Sequence, residues 1–264
     1  MIAKLRFALA MLAVGVAALT PSHGCAQAAQ SPIEGGVVHF GEIGDPTKWP
    51  LSAIGTVRGI WGIAWTKQCT GTLVGPKLVL TAAHCVYMEG KLLPPDHVHF
   101  LAGLNRGAPG AHSVAVRLDV APNYVRVQHL FDSDAANDWA LITLADAIPV
   151  KPIAVRALDE AAFRAVAASN AVAQIGYGAD RPYLPSVRRN CAIQPGASEG
   201  IFTFKCLLNF GYSGSPILAE IAGEPVIIGI ASMVDFTADK KPVLGVACSS
   251  TRFAQRVKEM LGSR

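Results

Sequence analysis

Three short stretches hold side chains able to do covalent chemistry together: Val79-Leu80-Thr81-Ala82-Ala83-His84-Cys85, Asn137-Asp138-Trp139-Ala140-Leu141 and Gly211-Tyr212-Ser213-Gly214-Ser215-Pro216. A serine hydroxyl is a poor nucleophile near neutral pH, so an imidazole must take its proton as it attacks. A carboxylate behind the imidazole fixes its tautomer and stabilises its cation. His84, Asp138 and Ser213 are of these three types, and the chemistry they could share is acyl transfer through the serine oxygen. Attack on a carbonyl creates an oxyanion that needs preorganised donors, and a tight turn on Gly211 could aim the N–H groups of Gly211 and Ser213 at one point.

These stretches, in the order His, Asp, Ser, resemble the motifs of chymotrypsin-like serine peptidases. Gly211-Tyr212-Ser213-Gly214-Ser215-Pro216 is similar to the form found in secreted bacterial members, the glutamyl endopeptidases among them. The resemblance runs from about Trp49 to the C-terminal segment. It implies His84 as general base, Asp138 as orienting acid and Ser213 as nucleophile, with protein or peptide substrates and no cofactor. Among rival acids, Asp132 and Asp134 sit in a polar loop and Asp146 lies downstream; only Asp138 directly precedes an apolar run, as the family acid does. Asp132 and Asp134 read as solvated residues, with a calcium site the lesser alternative. His97 and His99 would share one face of a strand, but no third ligand is evident, and no Cys or His pair has the close spacing of a structural zinc site.

The surrounding chain has to position these residues. Short β-rich runs recur at Ser52–Val57, Gly71–Val74, Leu78–Leu80, Val98–Leu101, Ser113–Val120 and Ala140–Leu144. They resume at Ala171–Ile175, Phe202–Cys206, Ser215–Ala219, Val226–Ser232 and Val243–Ala247. Strands at such intervals predict an all-β sandwich or barrel. Apolar residues at helical spacing predict helices around 158–166 and 253–261. The resemblance implies two six-stranded antiparallel β-barrels packed face to face, over about 37–155 and 171–250, with a C-terminal helix at 251–262.

Composition sets the outer limits. The chain has 264 residues, 51% of them hydrophobic, enough for a buried core. Lys4 and Arg6 precede an apolar run from Phe7 to Leu19, which as a helix covers only about 20 Å against a bilayer core of roughly 30 Å. Ala26-Gln27-Ala28 then offers a cleavage site, so residues 1–28 read as a secretory signal and 29–264 as the exported peptidase domain, secreted or periplasmic. Lipid attachment at Cys25 is the alternative considered, though Ser22-His23-Gly24 lacks the aliphatic residue such signals carry. Without the leader, 21 basic residues face 19 acidic ones, and no basic cluster suggests nucleic acid. No stable membrane anchor is expected, and a monomer is favoured. Export permits disulfides; the spacing pairs Cys69 with Cys85 and Cys191 with Cys206, and leaves Cys248 a buried free thiol.

Two departures from the family matter. Where activated relatives place an aspartate before the serine to receive a newly cut N-terminal amine, this chain has Tyr212. Its ring is expected near the start of the mature chain or under the oxyanion turn, with the hydroxyl bonded to backbone. The substrate pocket, by resemblance, has Leu207 at its floor and Ala231-Ser232-Met233-Val234 as its wall, with Ser232 and Val234 lining it. No carboxylate attracts Lys or Arg, and Ala231 replaces the histidine of glutamyl endopeptidases. Small or medium uncharged side chains would fit. The competing expectation is a non-catalytic binding or regulatory protein whose oxyanion hole Tyr212 has impaired.

Overall fold

The computed structural model describes residues 41–262 apart from 63, 126–132, 207 and 237–241. The chain separates into Met1–Pro32 and Ile33–Arg264, and the expected leader lies outside the described residues. The first part of the described chain carries β1 (Glu42–Ile43), β2 (Ile54–Trp61), β3 (Ala64–Gly75), β4 (Leu78–Thr81), β5 (Tyr87–Met88), β6 (Lys91–Leu92), β7 (Val98–Ala102), β8 (Ala111–Val120) and β9 (Ala140–Leu144). The remainder carries β10 (Ala154–Val155), α1 (Glu160–Ser169), β11 (Val172–Gly176), β12 (Ser186–Arg188) and β13 (Ile193–Pro195). It ends with β14 (Ile201–Phe204), β15 (Pro216–Ile221), β16 (Glu224–Phe236), β17 (Pro242–Ser249) and α2 (Ala254–Gly262).

Six strands close the first barrel in the order β2-β3-β4-β9-β8-β7. Its ladder is covered on both faces: the register puts Leu73, Phe100 and Ile142 on one and Ile54 and Leu80 on the other, all fully buried. Burying each is worth roughly 1.5–3 kcal/mol. All of Leu78-Val79-Leu80-Thr81 is buried, so β4 is covered on both faces.

The second half departs from the expected closed six-stranded barrel. Its ladder is an open nine-stranded sheet, a half-barrel, ordered β1-β12-β11-β15-β16-β17-β14-β13 with β10 beside β16. The strand that would complete a ring is broken in two. Asn190, at φ 55°, sits in the left-handed region between β12 and β13, where a β ladder cannot continue. Just after Asn190 the Cys191 N–H bonds to the Val172 carbonyl at the start of β11, and one residue further on Ala192 O accepts from Lys205 N just past β14. Within two residues the chain thus crosses from one margin of the sheet to the other. Its core gathers Val172, Ile193, Phe202, Phe204, Tyr212, Ile217 and Ala247.

The helices fall where apolar spacing put them. Asp159 caps α1 by accepting from Ala162 N at 2.8 Å, and Phe163 meets Phe202 edge-on at 5.6 Å. After α2 turns back, Arg256 bonds Asp119 of β8, while Phe253 and Val257 are buried. Neither described helix is long and apolar enough to cross a membrane.

Candidate active site

The barrel ladder brings His84 and Asp138 together. Strands β4 and β9 are antiparallel with Thr81 opposite Ala140, so the residues just after β4 and just before β9 emerge at the same end. His84 lies in the 3-10 turn Ala83–Val86, and Asp138 follows the turn Ser133–Asn137. Their side chains meet with His84 Nδ1 2.7 Å from Asp138 Oδ2. The His84 backbone N–H donates to Asp138 Oδ1 at 2.9 Å, so both carboxylate oxygens are engaged by one residue. The His84 carbonyl accepts from Lys67 Nζ.

Asp138 is almost wholly buried. Burial alone would raise its carboxyl pKa, but the charge of His84 and hydrogen bonds from His84 and Ser232 outweigh it and hold the group below the ordinary carboxylate value. Ser232 donates Oγ to Asp138 Oδ2 at 2.5 Å. The expected pocket-wall serine therefore spends its hydroxyl on the acid. Val234 is half-buried against the second core, and Leu207 lies outside the described residues.

Ser213 sits in the turn that leads into β15, sutured to both halves of the fold. Its carbonyl accepts from Thr70 N of β3 at 2.9 Å, and the next amide, Gly214 N, donates to Ala231 O of β16 at 2.7 Å. A side chain at Gly214 would strike Thr81 Oγ1 at 2.3 Å and Thr70 O at 2.4 Å. Only glycine lets the serine turn press this closely on the strand that leads to His84. The structure thus brings the Ser213 turn against the backbone leading to His84, and Ala231, which receives Gly214, adjoins the Ser232 that bonds Asp138.

The carbonyls of the turn point into the protein. Phe210 O accepts from Ala179 N at 2.6 Å, and Tyr212 O accepts from Ser215 N at 2.9 Å. In a trans peptide the N–H points opposite to the carbonyl, so the amides of Gly211 and Ser213 face away from these partners. Gly211 adopts φ 93°, and its own carbonyl accepts from Thr70 Oγ1 at 3.0 Å. Thr70 Oγ1 also accepts from Tyr177 N at 2.9 Å. Thr70 is the anchor of the turn, and nothing in the sequence marked it beyond its place after a half-cystine.

Tyr212 is fully buried. Its hydroxyl was expected to bond to backbone; instead it donates to Asp180 Oδ2 at 3.3 Å. Burial raises its pKa, more than nearby Arg188 lowers it.

The structure joins Cys69 to Cys85 and Cys191 to Cys206, with Cys248 buried and free. Among the described residues, the grouping of metal-type donors is Cys69, His84 and Cys85. Its two sulfurs are bonded to each other, so it offers no metal site. His99 Nδ1 lies 2.9 Å from His112 Nε2 on the exposed side of the barrel, a pairing the sequence did not suggest. Asp132 is outside the described residues, and the Asp146 amide donates to Ser113 Oγ away from His84.

A closed β-barrel and a curled half-barrel sheet, with a His–Asp pair at the end of one ladder and a serine turn pinned between them, define the class to which chymotrypsin-like proteins belong. The family model described as Trypsin matches residues 41–257, and the chain belongs to the trypsin family. It is similar to "Serine protease SP24D" of Anopheles gambiae, 26% identical over 63% of this chain and 62% of that protein. It is also similar to "Modular serine protease" of Drosophila melanogaster, 37% identical over 29% of this chain and 13% of that protein. The chain therefore spans under two thirds of the length of either relative. These matches lend nothing to a closer kinship with bacterial glutamyl endopeptidases.

Proposed function

We propose that the protein is an exported serine endopeptidase in which Ser213 is the nucleophile, His84 the general base and Asp138 the orienting acid. In this reading Ser213 Oγ attacks a peptide carbonyl while its proton passes to His84 Nε2. The tetrahedral intermediate collapses as His84 returns that proton to the leaving amine. Water then repeats the sequence on the acyl-enzyme and frees the acid product. Asp138, held ionised, stabilises the imidazolium between the two transfers. The Gly211 and Ser213 amides receive the oxyanion, a contribution of about 3–4 kcal/mol per donor in comparable sites.

The observation that carries this reading is the 2.7 Å contact of His84 Nδ1 with a buried Asp138. It leaves Nε2 as the ring nitrogen for the serine proton. Family membership and the names of the insect relatives support protease activity. An impaired, purely binding role is not favoured, because Tyr212 is accommodated in the core while the Ser213 turn stays bonded to both Thr70 and Ala231. Substrates are taken to be proteins or peptides cut after small or medium uncharged side chains, with Leu207 and the Ala231–Val234 wall shaping the pocket. Two disulfides and the apolar leader support export.

The test is labelling of the mature protein with a fluorophosphonate. The parent should label at one serine, and Ser213→Ala should not label while keeping its circular dichroism spectrum. Equal labelling of the two proteins would reject the assignment.

A further inference from the structure

Close to the Ser213 turn lies a buried set of polar side chains that the proposed reaction does not use. Arg188 of β12 is 7% exposed, and its guanidinium lies over the Tyr212 ring, 4.1 Å from the centroid. The same group donates Nη1 to Gln174 Oε1 of β11 at 3.1 Å. Gln174, fully buried, donates Nε2 to Ser215 Oγ at 2.6 Å. Ser215 N in turn donates to Tyr212 O. The contacts close a ring through Arg188, Gln174, Ser215 and Tyr212, and Ser213 is in the span of chain that the ring pins at both ends.

A buried cation is costly unless its surroundings replace water. The replacements include the ring of Tyr212, the residue before Ser213, and the amide oxygen of Gln174, whose Nε2 bonds Ser215, two residues after Ser213. Displacing Tyr212 would strip the aromatic face from this nearly buried charge, and displacing Ser215 would disturb the amide that holds its edge. The arrangement therefore resists rotation of the peptides around residues 211–213, the ones whose N–H directions the chemistry needs. Guanidinium suits this position: its flat face stacks on the ring while an edge donates to the amide, which a lysine ammonium cannot do at once.

We infer that Arg188 is a positioning residue for the nucleophile turn, acting through Tyr212 and Gln174 without touching substrate. The inference rests on the reading of Ser213 as nucleophile. Its test uses the full mature chain and the fluorophosphonate probe, with the limiting labelling rate and the half-saturating probe concentration measured separately. Arg188→Met, similar in length but uncharged, should lower the limiting rate about thirtyfold and leave the half-saturating concentration within about twofold, the pattern of a lost transition-state arrangement. Arg188→Lys, which keeps a cation over the ring, should restore the rate to within about fivefold of the parent, and Tyr212→Phe, which keeps the aromatic face, to within about twofold. Should Arg188→Met fail to fold, Gln174→Leu cuts the ring at its other side and should slow labelling about tenfold. A folded Arg188→Met, or failing that a folded Gln174→Leu, labelling at the parental rate overturns the inference. So does an Arg188→Lys as slow as Arg188→Met. A parent that does not label at all overturns the Ser213 reading and this inference with it, whereas a parent that labels separates the two.

Discussion

Ser232 and His84 share one oxygen of Asp138: Ser232 Oγ donates to Oδ2 at 2.5 Å, and His84 Nδ1 faces the same atom at 2.7 Å. The serine hydroxyl thus helps set both the charge and the orientation of Asp138, the proposed orienting acid. Ser232→Ala should lower kcat about tenfold, in line with the worth of a hydrogen bond to a charged group, and steady-state hydrolysis of a peptide panel checks it. An unchanged kcat would mean that His84 alone fixes the carboxylate.

Asp138→Asn should cost about four orders of magnitude in turnover with the fold kept, since the amide favours the wrong imidazole tautomer. It should also flatten the acid limb of stability. A carboxyl held below its unfolded pKa stabilises the folded state above the unfolded value and loses that contribution as pH falls through the folded one. Below about pH 4 the parent's Tm should therefore fall more steeply than the variant's. Parallel Tm curves would contradict this.

Thr70→Val preserves shape but removes the oxygen that links Gly211 O and Tyr177 N. Leaving a buried N–H unpaired costs about 1–3 kcal/mol, felt where the serine turn is anchored. Both a lower Tm and a slower fluorophosphonate reaction are expected. A drop in Tm alone would restrict Thr70 to folding.

Cys248 is fully buried, and its thiol pKa is raised well above the usual value by that burial and by the nearby Asp138 charge. Since the thiolate is the reactive form, iodoacetamide should leave the native protein unmodified at pH 8. In the mature chain, without the leader that carries Cys25, one thiol should react after denaturation without reductant. Non-reducing peptide mapping should recover Cys69 with Cys85 and Cys191 with Cys206; alkylation of the native chain would show that β17 opens.

Much of this was legible in the residues. Strands with continuous β-branched and leucine runs, such as Leu78–Leu80 and Ala140–Leu144, appear where the pattern put them, because burial on one or both faces leaves a periodic trace. The His, Asp and Ser stretches were also legible, as each combines a reactive side chain with a strand end or a glycine turn. β12 and β13 were not. Each is three residues long, and Arg188, whose charge argues for solvent, is buried over an aromatic ring. Side-chain networks between distant strands leave no local signal, and so the true partners of Tyr212 and Ser232 emerged only in three dimensions.

The Cys69–Cys85 bridge has a consequence beyond fastening one strand. Cys69 adjoins Thr70, which anchors the serine turn, and Cys85 adjoins His84, so a single covalent link registers the proposed base and nucleophile against each other. Oxidation of these two thiols would then be a licensing event. A chain still in a reducing compartment would lack it, and on the proposed reading its peptidase activity would mature only on arrival where disulfides form.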